Sequence, residues 1–220
     1  MKIILLGSKG LVGREVEKYL LKKQYSLTSV DIDTLDLTDH DKTAIFFNQN
    51  KADILINLFG KNDHIKQLNK QSTVLNIEEE EIRSYLEINV VILFRVCRLF
   101  IENNPQSKIF NFSSLYGHHV PNPKYYGGNY KSIGYCMSKA AVVMLTKYLA
   151  VHFPSTEVID IVLGGVENSQ NSNFVEKYNE DVPKNRMLTK EEIPPIIEGL
   201  FKTKYITGSS IFIDGGKNLM

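Results

Sequence analysis

Tyr135 and Lys139 stand four residues apart in Tyr135-Cys-Met-Ser-Lys139. On a helix that spacing puts both side chains on one face, one turn apart. An ammonium beside a phenol favours the phenolate and lowers its pKa from about 10. Such a tyrosine can pass a proton to or from a substrate oxygen near neutral pH. The same pair also arises by chance on helix surfaces, so its meaning depends on what else the chain brings to it. Two further polar residues qualify. Ser114 closes an apolar run, and Asn89 lies on an apolar helical stripe. A buried amide needs partners, so Asn89 is either a satisfied core residue or a placed functional one.

The elements that must position these groups begin at the amino terminus. Residues 2–6 are almost wholly apolar, the pattern of a parallel strand buried on both faces. They run into Gly7-Ser8-Lys9-Gly10-Leu11-Val12-Gly13 and then an amphipathic stretch over 11–21. Strand, glycine turn and helix form a cradle in which backbone N–H groups meet a pyrophosphate at the positive end of the helix. A second strand over 27–31 ends in acid. A carboxylate there, about 20 residues beyond the glycines, accepts from ribose hydroxyls and repels a 2′-phosphate. Asp31 is the candidate and Asp33 the alternate, with Ile32, Asp36 and Leu37 on the same turn. Lys9 pulls the other way, because a cation beside Gly10 could meet that 2′-phosphate. The balance modestly favours NAD over NADP.

Asp39 suits the N-cap of a helix through residue 48. Another buried strand leads to Asn57-Leu58-Phe59-Gly60, and residues 61–76 read as an irregular surface connection. Helical spacing of Ile82, Leu86, Asn89, Leu93, Val96 and Phe100 predicts a helix over 78–100. Residues 108–114 read as a strand closed by Leu-Tyr-Gly117, and 118–134 as a long loop. The helix from Tyr135 to about residue 153 is expected to bury Met137, Ala141, Met144, Leu145 and Tyr148. A strand over 157–163 precedes Gly164, Gly165 and Val166, and residues 166–187 read as a mobile flap with a short helix near Phe174. Thr189 and Glu192 are spaced as a capping box. Pro194 and Pro195 fit only the first turn of a helix to residue 201. A last strand over 209–213 ends at Asp214-Gly-Gly216. This alternation predicts a Rossmann-like, doubly wound parallel sheet, three-layer α/β/α, in one domain over residues 1–220. Ligands on such sheets bind outside the strand carboxyl ends, where the candidate residues converge.

Composition narrows the classes. A chain of 220 residues with formal charge +1 and no basic blocks gives no electrostatic case for nucleic acid or membrane. Two cysteines, Cys97 and Cys136, lack metal-like spacing, and a reduced cytoplasm fits them. No apolar run approaches membrane-spanning length. The expectation is a cytoplasmic protein without a metal.

In these motifs the chain resembles the short-chain dehydrogenases/reductases over nearly its whole length. Tyr135-x-x-x-Lys139 matches the family's catalytic motif, Asn-Phe-Ser-Ser114-x-x-Gly117 its serine-bearing strand end, and Ile88-Asn89-Val90 the helix carrying its asparagine. Residues 206–216 match its carboxyl-terminal strand. The resemblance implies an NAD(P)-dependent oxidoreductase. Tyr135 would be the general acid/base and Ser114 a hydrogen-bond partner of the same substrate oxygen. Lys139 would lower the tyrosine pKa and hold the nicotinamide ribose, and Asn89 would position a relay water. It also implies a homodimer or tetramer packed through the 78–100 and 135–153 helices.

Departures are visible too. Gly7 and Gly10 are separated by two residues, one fewer than usual, as in the extended members and sugar-nucleotide reductases. Leu163 replaces a proline. Ser114 and Tyr135 are 21 positions apart, which makes residues 118–134 an added wall of the substrate site. That wall offers His118, His119, Asn122, Tyr125, Tyr126 and Asn129, which suit a polyhydroxylated ligand. A loose likeness to reductases of bacterial surface-glycan pathways points to a sugar or nucleotide-sugar. Two rivals stay open: an NAD-dependent sugar epimerase or dehydratase, and a dinucleotide-sensing protein without catalysis.

Overall fold

The structure is a computed structural model and describes residues 1–63, 74–127 and 129–220. Six strands form one sheet: β1 (Lys2–Leu6), β2 (Ser26–Val30), β3 (Ile54–Asn57), β4 (Lys108–Ser114), β5 (Glu157–Leu163) and β6 (Ser210–Ile213). They lie in the order β2-β1-β3-β4-β5-β6, and every pairing is parallel. Parallel neighbours need crossovers. These are supplied by α1 (Leu11–Lys22), α2 (His40–Gln49), α3 (Glu79–Leu86), α4 (Leu93–Asn103), α5 (Ile133–His152), α6 (Ser172–Glu180) and α7 (Ile193–Gly199).

Successive side chains of a strand point to opposite faces, and here both faces are covered. Ile4 and Leu6 join Phe47, Val96, Phe100 and Leu149 beneath α2, α4 and α5. Ile3 and Leu5 join Val16, Leu20, Ile193 and Ile197 beneath α1 and α7. This is the expected three-layer arrangement, and it explains why the strands read as unbroken apolar runs.

The chain leaves β1 outward to β2 and returns to place β3 on the other side of β1. That reversal opens a crevice beyond the carboxyl ends of β1 and β3. Gly7 sits at its base with φ +79°, and a Cβ there would fall 2.5 Å from the backbone nitrogen of Phe59. A Cβ on Gly13 would lie 2.0 Å from the Gly7 carbonyl oxygen. Both glycines are therefore required by close backbone approach.

Three expectations need correction. On α5, Met137, Met144 and Tyr148 are exposed, while Val142, Val143, Thr146 and Leu149 turn inward. The helix is apolar nearly all round, so its pattern could not say which side meets the sheet. Residues 166–187 are packed rather than a loose flap. Phe174, Tyr178, Val182 and Met187 are buried against Tyr125 and Tyr126 of the 118–134 segment. The 78–100 stripe is also not one regular helix, because a π turn over Glu87–Ile92 joins α3 to α4 and carries Asn89. Such turns interrupt the regular ladder and often occur at functional sites. Of the 61–76 connection, residues 64–73 lie outside the described residues, and Val74–Asn76 form a 3₁₀ turn.

Candidate active site

Two adjoining cavities open at the strand carboxyl ends. The first, about 520 Å³, lies between the glycine turn and the end of β2; Gly7, Gly10, Asp31, Asp36 and Thr38 are among its walls. The second, about 370 Å³, contains Ser114, Tyr135, Lys139, Gly164 and Val166. Gly10, Leu58, Phe59, Gly60 and Lys61 border both, so the two form one cleft over the β1/β3 reversal.

On the β2 side the sequence conflict resolves into geometry. Asp31 accepts from the backbone N–H of Lys9 at 2.7 Å and from that of Ile32 at 2.9 Å, bracing the glycine turn against β2. The Lys9 ammonium pairs with Asp33. Ile32 and Leu37 complete this end of the cavity. Gly10 is the open point of the turn, because a Cβ there would meet only the Gly7 carbonyl, at 3.4 Å. Leu11, Val12 and Gly13 continue the wall into the second cavity. Ser8 and Asn57 line neither. Ser8 is buried, and Asn57 donates to Asn111 Oδ1 at 2.8 Å inside the sheet–helix interface.

In the second cavity Tyr135 is 7% exposed. Burial pushes its phenol up to about 12, opposed by a hydrogen bond with Ser114. Lys139 Nζ lies 5.8 Å from the Tyr135 ring centre and donates to the Phe112 carbonyl at 2.8 Å. Burial lowers this lysine to about 8, against the attraction of the buried Asp160 carboxylate. The expectation of a phenol depressed by its lysine is thus corrected. Desolvation wins over a cation that is near but not in contact. Ser114 is buried at the end of β4, and its hydroxyl accepts from the Tyr116 N–H at 3.2 Å.

Asn89 lies just behind this wall. Its Oδ1 accepts from Lys61 N–H at 2.7 Å, and its Nδ2 donates to the Lys61 carbonyl at 3.0 Å and to Ser138 Oγ at 2.9 Å. Both amide protons are spoken for, and the side chain clamps the turn after β3. The opposite wall is tight. A Cβ on Gly164 would lie 2.9 Å from Asp214 Cα, and one on Gly165 2.7 Å from the Tyr178 ring. Gly165 N–H donates to the Tyr178 hydroxyl at 2.6 Å.

Of the six loop residues expected to meet a ligand, only Tyr126 lines the cavity. His118 packs on Phe212 and faces Asp160 at 3.9 Å. Asn122 caps the 3₁₀ turn Pro123–Tyr125, and Tyr125 bonds Asp181. Sequence reasoning missed Tyr116, Lys131, Asn168 and Gln170, which do line it. Lys131 had one signal, its place four residues before Tyr135.

A family profile described as "Enoyl-(Acyl carrier protein) reductase" matches residues 15–218. The chain belongs to the short-chain dehydrogenase/reductase family and is an oxidoreductase of that class. Carbonyl reductase family member 4 of Xenopus tropicalis is 24% identical, over 97% of this chain and 95% of that one. A short-chain dehydrogenase of Leptospira borgpetersenii with bound NAD+ has a TM-score of 0.86 at 24% identity, covering 99% of this chain and 92% of that one. A gluconate 5-dehydrogenase of Burkholderia cenocepacia in complex with NADP and tartrate has a TM-score of 0.79 at 15% identity, covering 100% and 96%. Among the described residues no helix is long and apolar enough to cross a membrane, and no group of side chains could hold a metal ion.

Proposed function

We propose that the 220 residues form one domain that binds NAD or NADP along the cleft and interconverts a carbonyl and a secondary alcohol. The observation that carries this is the shared wall of Ser114, Tyr135 and Lys139 in a cavity continuous with the glycine turn. The cleft suits a dinucleotide: Gly10 leaves backbone open at the start of α1, where a pyrophosphate is favoured. Asp31, Asp36 and Thr38 would meet the adenosine ribose, and Gly164 and Val166 the nicotinamide. With Lys9 already paired to Asp33, acid dominates the adenosine end, which supports NAD modestly over NADP.

When bound, the nicotinamide supplies or accepts the hydride. The chain handles the proton. A phenol raised to about 12 is protonated at neutral pH, the form that donates to a carbonyl oxygen during reduction. Ser114 hydrogen-bonds that same oxygen as charge develops on it. Lys139 holds positive charge beside the phenol and steadies the phenolate left behind. Asn89 fixes the Lys61 turn, and its Oδ1 keeps a lone pair for the relay water that the family resemblance implies.

The substrate side is walled by Asn62, Tyr116, Tyr126, Asn168 and Gln170, a hydrogen-bonding surface that favours a hydroxylated sugar or nucleotide-sugar. The fold shared with a gluconate 5-dehydrogenase is compatible with this. We assign the exposed apolar side of the π turn, α4 and α5, with Val91, Phe94, Met137, Met144, Tyr148 and Val151, to a homodimer contact, as the family resemblance implies.

The test is titration with NADH and with NADPH by nicotinamide fluorescence, on the wild type and Tyr135→Phe, followed by a keto-sugar screen. Binding retained in Tyr135→Phe with turnover lost supports an oxidoreductase using that tyrosine. Binding with no turnover of any carbonyl favours the dinucleotide-sensing reading. A dehydratase or epimerase would release product without net change in NADH. Sedimentation showing only a 25 kDa species would remove the dimer.

A further inference from the structure

Among the described residues the substrate cavity is lined by three lysines, Lys61, Lys131 and Lys139, and by no aspartate or glutamate. Two of the three have an acidic counterpart. Lys61 Nζ lies 3.6 Å from Asp63 Oδ2 and donates to Ser84 Oγ at 2.8 Å. Lys139 feels Asp160 from inside the sheet. Lys131 differs. Its ammonium donates to Asn62 Oδ1 at 2.5 Å and to the Asp63 carbonyl oxygen at 3.0 Å, both neutral acceptors. Among the described residues it makes no ion pair. An ammonium has three protons, and neutral acceptors do not cancel its charge.

Its position gives that charge a use. Lys131 Nζ stands 4.3 Å from the centre of the Tyr135 ring, on the wall that holds the proton donor. Burial lowers this lysine to about 8, opposed by Cys136 and then by Asp63. A half-buried cation kept against desolvation calls for an anion. Resting on the oxidoreductase reading, we propose that Lys131 is the specificity residue of the substrate cavity and pairs with an anionic group, a carboxylate or phosphate ester, on the carbonyl or alcohol substrate. A purely structural lysine holding the 61–63 turn would need only neutral partners and would not distinguish charged from neutral ligands.

The experiment has two stages on wild type, Lys131→Met and Lys131→Arg. NADH titration comes first and establishes folding and the cofactor site. Tartrate, D-gluconate, glucose 6-phosphate and neutral sorbitol are then titrated calorimetrically into the protein saturated with the cofactor it binds. The expected result is that at least one anion binds about tenfold or more tighter than sorbitol. That preference should be lost in Lys131→Met at unchanged NADH affinity and be largely kept in Lys131→Arg. Tightest binding of tartrate or gluconate identifies a carboxylate, and of glucose 6-phosphate a phosphate. Intact NADH binding with no anion preference, or an anion preference undiminished in Lys131→Met, overturns the inference alone. Failure of both cofactors to bind overturns the oxidoreductase reading and the inference with it.

Discussion

Replacing Lys139 by methionine should make the protein more stable at neutral pH while removing its chemistry. Lys139 is 9% exposed, and burial brings its pKa from 10.5 to about 8. At about 1.4 kcal/mol per pH unit, holding the charge inside costs about 3 kcal/mol. Loss of the bond to the Phe112 carbonyl returns about 1 kcal/mol of that. The net gain for Lys139→Met at pH 7 is therefore about 2 kcal/mol, or about 4–8 °C in Tm for a chain of this size. The sign follows from proton linkage. The folded pKa lies below the unfolded one, so between pH 8 and 10.5 the unfolded state binds more protons and wild-type stability rises. Urea unfolding at pH 7 and pH 9 should show the wild type gaining about 1.4 kcal/mol more than Lys139→Met. The variant keeps a smaller rise from Lys131, discounted because that group is half-buried. Stopping at pH 9 stays below most of the titration of the buried phenols, and the opposing contribution of the cysteines, whose raised values begin to cost stability near pH 9, is common to both proteins and cancels in the difference. A variant less stable than wild type at pH 7, with the same pH slope, would refute the claim that desolvation governs this lysine.

The glycine turn can be split into structure and binding. Gly13→Ala should cost about 3 kcal/mol or more by calorimetric unfolding, because its Cβ would lie 2.0 Å from the Gly7 carbonyl. Gly10→Ala should change stability by less than about 1 kcal/mol, yet weaken NADH in fluorescence titration, since its Cβ points into the open cradle. Asn89→Ala removes three hydrogen bonds and frees the Lys61 turn, so unfolding should show a loss of about 2–4 kcal/mol. Tyr178→Phe should lose about 1 kcal/mol, because the half-buried Gly165 N–H is left without its acceptor.

Short-range pattern carried much of this protein. The β1–glycine turn–α1 unit was readable because apolar period, glycine and amphipathic helix follow one another within about four turns of chain. The Asp39 cap and the Thr189–Glu192 capping box were readable for the same reason, and both form as spaced. Tyr135 and Lys139 could be set on one face because the geometry of residues four apart is fixed by the helix itself. What pattern left undecided depends on partners distant in sequence. The inward face of α5 is chosen by the sheet, because a helix apolar on both sides offers two equivalent faces until something packs on one. Tyr125 and Tyr178 meet only when segments more than fifty residues apart fold together. Asn57 looked like a cleft residue and instead joins Asn111 beneath α5. The phenol of Tyr135 rises rather than falls, since its pKa is set by how many neighbours exclude water. Sequence alone thus determined the alternation of elements, the glycine turn and the order of the chemical groups, which are local. Tertiary structure decided burial, charge state and which lysines gather around Tyr135, because solvent exclusion and Coulomb attraction act across space and not along the chain.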